Sequence, residues 1–168
     1  MTSDIHNNKL EEMGIGKNFQ DILCSMLENS YLFKELSRQE IEQIAKYMHG
    51  YKAPKGSTLL KEGEQDSFLI IMSSGKAKVL KDDGNGNSKE IAIVRKGATL
   101  GEMSIIDGFP HSATAITIED SEVAIITKAN LQNITENYPS LGVKLLWQLS
   151  VQLSARVRQA SGQLVEHV

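Results

Sequence analysis

The sequence predicts a β jelly roll (double-stranded β-helix) with helices at both chain ends, an α+β fold. Three observations carry this: short β-prone runs at even spacing from His49 onward, two helix-patterned segments before them, and one long helical pattern after Pro139. Strands at such spacing without alternating helices point to a sandwich or jelly roll rather than βαβ units. At 168 residues the chain fits one ordinary domain with a real core and an appended helix or tail.

The expected organisation is a loose polar leader over 1–18, N-terminal helices over 19–48, the jelly roll over 49–130 and C-terminal helices over 131–168, together one ligand-binding domain. Within the leader, "GIGK" lacks the full phosphate-loop pattern and a strand before it. From Phe19 to Asn29, Ile22, Leu23, Met26 and Leu27 suit a short amphipathic helix. Ser37 followed by Glu40 is a capping box that opens a second helix, with Ile41, Ile44, Ala45 and Met48 on its apolar side.

The strand candidates are "STLL", "SFLIIM", "KAKVL", "KEIAIV", "ATAITI" and "EVAIIT", and about eight strands are expected between His49 and Thr127. "DDGNGN" at 82–87 reads as a solvated hairpin tip, and Gly63, Gly75 and Gly97 as turn residues. Pro139 suits the first turn of the last helix. Leu146, Leu149, Leu153, Val157, Ala160 and Leu164 recur at helical spacing and draw one apolar seam. A helix of roughly 26 residues is about 39 Å long and overshoots a small barrel, so the seam is expected to pair two chains as a homodimer.

Composition narrows the function classes. A net charge of −3 with no Lys/Arg run argues against a nucleic-acid or anionic-bilayer binder. The lone Cys24 cannot form an internal disulfide, the first residues lack a secretory pattern, and no stretch is apolar for long enough to span a bilayer, so a cytoplasmic home is expected. Four histidines, His6, His49, His111 and His167, lie far apart in sequence, and neither a metal site nor a nucleophile motif is expected. The protein is therefore read as no enzyme, with no required cofactor.

The stretch "GEMSIIDGFPHSATA", Gly101 to Ala115, carries the chemistry. Gly101 and Glu102 are expected on a turn, with small Ser104 behind them, a loop through Asp107 and Pro110, and a strand opening at His111, Ser112, Ala113 and Thr114. A small residue after a glycine lets successive amide N–H groups face an anion such as phosphate. A carboxylate beside a phosphate makes sense only if the ligand also offers hydroxyls, and a ribose phosphate offers both.

This stretch resembles the phosphate-binding cassette of the cyclic nucleotide-binding domain family, which includes the catabolite activators and the regulatory subunits of cAMP-dependent protein kinase. "LLKEGEQDSFLIIMSSGKAKV" also looks like that family's strand pair, with Gly63, Asp66, Phe68 and Gly75 at matching spacings. The resemblance runs from about Tyr31 to Leu164. It implies that Gly101, Glu102, Met103, Ser104, His111, Ser112, Ala113 and Thr114 form a site for cAMP or a related cyclic nucleotide. In it Glu102 accepts from the ribose 2′-hydroxyl, the amides near Met103 and Ser104 meet the cyclic phosphate, and Ser112 adds its hydroxyl.

The family's arginine falls on His111 here. Arginine brings a permanent charge and a planar fork, whereas histidine is mostly neutral above its ordinary pKa of about 6.5, so weakened binding that improves toward pH 6 is expected. Leu153, Arg156 and Val157 are expected as a lid on the last helix, with Arg156 stacking on a purine. Many relatives append a helix-turn-helix; beyond Ser161 only "GQLVEHV" remains, so direct DNA binding is not expected. The function read from the sequence is a stand-alone cyclic nucleotide sensor or regulatory domain; the alternative is a ligand-free protein-interaction module that retains the fold, with the cassette as a structural turn and a protein effector as partner.

Overall fold

The apolar runs of the strands are continuous rather than alternating because two of them are covered on both faces. In β4 (Phe68–Ser74) the side chains of Phe68, Ile70 and Met72 point between two sheets, while Leu69 and Ile71 pack under helices. β9 (Ser121–Thr127) divides likewise, Val123 and Ile125 inward and Ala124 and Ile126 toward the helices. Such two-sided burial removes the polar face of a half-exposed strand. A computed structural model describes residues 10–14 and 17–165.

The two strands pair antiparallel, with Ile70 opposite Ile125 and Ile71 opposite Ala124. They form the centre of a five-stranded sheet with β1 (Glu11–Glu12), β2 (His49–Ala53) and β7 (Thr99–Leu100), in the order β1-β2-β9-β4-β7. The facing sheet runs β3-β8-β5-β6, from β3 (Thr58–Leu60), β8 (Thr114–Thr117), β5 (Lys76–Asp82) and β6 (Ser88–Arg95). Eight strands thus lie between His49 and Thr127, as the spacing predicts. β5 and β6 close around the 82–87 turn, with Asp82 opposite Ser88.

The helices are α1 (Lys17–Glu28), α2 (Arg38–Ala45), a short α3 (Glu102–Asp107), α4 (Lys128–Asn137) and α5 (Pro139–Val165). At α2 both arms of the expected capping box form, the Ser37 hydroxyl accepting from the Glu40 amide and the Glu40 carboxylate from the Ser37 amide. The helical core gathers Leu23 and Leu27 of α1, Ile44 of α2, Ile134 of α4 and Leu141, Leu145 and Leu149 of α5.

Three expectations change. Part of the stretch read as a loose leader is structured: Glu11 and Glu12 pair with Lys52 and Tyr51, and the Met13 amide donates to the Gly50 carbonyl. The segment after Gly101 is a helical turn and a half rather than an open turn, and β8 begins at Thr114 instead of His111. His111 leaves the ladder because its amide donates to the Glu64 carbonyl and its carbonyl accepts from Gly63. The apolar seam of α5 also divides. Leu149 is buried in its own domain, Leu153 is half-buried, and Leu146 and Val157 are exposed. The Leu164 side chain, the central residues of "GIGK", His6 and His167 lie outside the described residues. No described helix is long and apolar enough to cross a membrane.

Candidate ligand-binding site

A cavity of about 570 Å³ opens between the four-stranded sheet, α3 and the second half of α5. The structure brings Gly101, Glu102, Met103, Ser104, His111, Ser112 and Ala113 to its wall, together with Leu153, Arg156 and Val157 from α5. Thr114 is not among them, its hydroxyl oxygen instead accepting from the Glu62 amide at 3.0 Å. The remaining wall is apolar, from Leu60, Val79, Leu100 and Ala115 to Ile91 and Ile93 of the edge strand β6.

Gly101 sets the geometry of the cassette. Its φ of 86° is left-handed, and a Cβ there would lie 2.4 Å from the Phe68 carbonyl oxygen, so a side chain would push α3 off β4. From this cap the Ile105 amide donates to the Gly101 carbonyl, and Ile105 buries itself in the helical core. The Ser104 hydroxyl donates to the same carbonyl at 3.1 Å. Ser112 remains exposed, its hydroxyl 3.8 Å from the Met103 sulfur.

Glu102 is only 2% exposed, and its carboxylate is already engaged. Arg156 Nη1 donates to Oε2 at 2.8 Å, Nη2 lies 2.7 Å from Oε1, and Nη2 also donates to the Thr99 carbonyl at 2.7 Å. The Thr99 hydroxyl donates to Glu102 Oε1 and lies 2.7 Å from Gln152 Oε1. A hydroxyl has one proton for these two acceptors. A half-turn of the Gln152 amide brings its nitrogen, which otherwise lacks a partner, to the Thr99 oxygen, so that the Thr99 proton is free for Glu102. Arg156 therefore makes an ion pair at the cavity wall, where the sequence led us to expect a stacking surface for a purine.

His111 stands apart from this network. Its ring is 5% exposed and packs edge-on against Phe68, with centroids 5.3 Å apart, and its Nε2 has no hydrogen-bond partner. Burial pushes its pKa below the ordinary 6.5, against the weaker upward pull of Asp66 and Glu64. The charge deficit anticipated at this position is thus deepened by desolvation, and any gain of a proton moves below pH 6.5.

Sequence reasoning missed Thr99, Gln152 and the isoleucines of β6. Thr99 and Gln152 are 53 positions apart, with the whole cassette, β8, β9 and α4 between them, and neither belongs to a pattern. The isoleucines lie on an edge strand whose register with β5 slips between Val79 and Leu80, and at 54% and 42% exposure Ile91 and Ile93 leave no simple alternation to read. Among the described residues no group of three or more His, Cys, Asp or Glu side chains is placed to hold a metal.

The family model described as "Cyclic nucleotide-binding domain" matches residues 52–138. The structure is similar to that of a cyclic nucleotide-binding domain from Methylobacillus flagellatus, with a TM-score of 0.82 and 32% identity over 95% of this chain and 89% of that one. The Cyclic AMP receptor protein of Thermus thermophilus is 25% identical over 138 residues, 82% of this chain and 62% of its own length. A cAMP-dependent protein kinase regulatory subunit of Aspergillus fumigatus is 31% identical over 100 residues, 60% of this chain and 24% of its own. The chain therefore spans less than two thirds of the curated relatives it matches.

Proposed function

The chain belongs to the cyclic nucleotide-binding domain family, and from that premise we propose that its cavity takes cAMP or a related cyclic nucleotide and that the protein is a cytoplasmic sensor or regulatory module rather than an enzyme. The observation that carries the reading is the convergence of the cassette residues Gly101 to Ser104 with Ser112 and Ala113 on one cavity, closed on its other side by α5. The Glu102 carboxylate takes three contacts from the protein, two from Arg156 and one from Thr99, which leaves one of about four lone-pair sites for a ribose hydroxyl. The apolar wall of Val79, Ile91 and Ile93 suits a base. With His111 neutral, binding at pH 7 is weaker than a cassette arginine would give.

The proposed assembly is a homodimer through α5, by a different face from the one the heptad-like seam suggested. Val143, Leu146 and Trp147 are exposed, and with Ser150 beside them they make an apolar outward patch on the first half of the helix. A downstream protein partner is the natural reader of such a module; DNA and membrane binding are not part of the proposal. Calorimetric titration with cAMP and cGMP tests the ligand. Saturable binding of either supports it; an absence of heat with both, in the wild type and in His111→Arg, leaves the interaction-module reading in its place.

A further inference from the structure

The fixed positive charge on the cavity wall comes from α5 and not from the cassette. Among the described residues lining the cavity, only Arg156 carries such a charge. Nearby Lys81 is outside the wall and spends its ammonium on Glu62 and on the Ser112 carbonyl at 2.7 Å. His111, buried beside Phe68, is uncharged at neutral pH. Without Arg156 the wall would present a bare, buried Glu102 carboxylate to an incoming anion, and like charges in a partly desolvated cavity repel.

Arg156 has donors to spare. A guanidinium carries five N–H groups; the contacts to Glu102 and Thr99 use three of them, which leaves two. Its side chain is 45% exposed, so the unused edge is open to a ligand. A planar fork that already holds one carboxylate is suited to meeting a phosphate oxygen alongside it.

We propose that Arg156 is the phosphate-binding cation of this pocket, supplied by α5 in place of the cassette arginine whose position His111 fills, so that an anionic ligand binds only while the second half of α5 is docked. This rests on the cyclic-nucleotide reading above and adds its regulation. Linkage makes the dependence reciprocal: a ligand that needs the docked helix holds the helix docked.

The test is titration of cAMP into the full chain as wild type, Arg156→Gln, His111→Arg and the double variant. Arg156→Gln is expected to weaken binding by roughly 10-fold or more, and Arg156→Lys, which keeps the charge without the fork, by less. In the His111→Arg background the same Gln substitution is expected to cost under about 3-fold, because the cassette then has its own cation. Wild-type affinity in Arg156→Gln, or equal losses in both backgrounds, overturns the proposal. If neither the wild type nor His111→Arg takes cAMP or cGMP, the cyclic-nucleotide reading fails on its own. Inorganic phosphate then decides the cation: slower hydrogen exchange over 152–160 in the wild type but not in Arg156→Gln upholds it, and unchanged exchange in the wild type overturns it.

Discussion

The two halves of α5 are one continuous helix held to the domain by different forces. In the first half Leu141, Leu145 and Leu149 are 6%, 2% and 1% exposed and belong to the helical core with Leu23 and Ile134. In the second half Leu153 and Arg156 sit at the cavity wall, and the contacts that tie it down are the polar ones from Gln152 and Arg156 to Thr99 and Glu102. Apolar burial is non-directional, and nothing a soluble ligand offers replaces it. Hydrogen bonds and ion pairs can be shared or exchanged with ligand atoms at little net cost. The first half fixes the helix to the fold; the second is where the proposed ligand would act.

The largest effect should come from breaking the first half. Leu149→Ala is expected to lower stability by about 2–5 kcal/mol in denaturant unfolding, the cost of a cavity in a well-packed core. Arg156→Gln breaks the second half and should cost less, about 1–3 kcal/mol, because it strands a buried carboxylate but removes little apolar contact. Hydrogen exchange should then quicken beyond Gln152 and stay unchanged from Leu141 to Leu149. Uniform quickening along α5 would erase the distinction between the halves.

Two further changes sharpen the comparison by moving charge to the cassette. His111→Arg should tighten cAMP binding by roughly 10-fold at neutral pH, read by calorimetry. In the wild type, acid should act on fold and affinity in opposite senses. Because burial lowers the pKa of His111, the unfolded chain takes up a proton before the folded one does, so this residue's contribution to stability is complete above about pH 6.5 and is lost as pH falls through the folded value. A bound phosphate favours the protonated ring, so affinity should rise as stability declines over that window. His111→Gln should remove this part of both pH dependences, measured by thermal melts and titrations at matched pH. The smallest effect on folding belongs to the outward face: Val143→Asp with Trp147→Asp should shift unfolding within about 0.5 kcal/mol per site while converting the proposed α5 dimer to monomer in sedimentation.

Much of the framework was legible because local chemistry and tertiary structure agree. The Ser37–Glu40 capping box, the first-turn Pro139 and the two-sided apolar runs of β4 and β9 each leave a pattern in adjacent residues. The two-residue strands β1 and β7 leave none, since they are defined by partners elsewhere in the chain. The seam of α5 misled because spacing of three and four residues describes any buried helix face. It does not distinguish Leu149, which packs at home, from Leu146, which is exposed. The cassette residues were legible through the family resemblance, but the pairing of Glu102 with Arg156 was not, because residues 54 positions apart meet only once α5 returns across the cavity.

A structure of the wild-type protein crystallised with cAMP tests the central claim most directly. The account predicts the Arg156 guanidinium bridging Glu102 and a phosphate oxygen at about 2.7–2.9 Å, with α5 docked to its second half and the His111 ring still against Phe68. A phosphate held by the cassette amides and Ser112 alone, with Arg156 turned to solvent and the second half of α5 released, would contradict it.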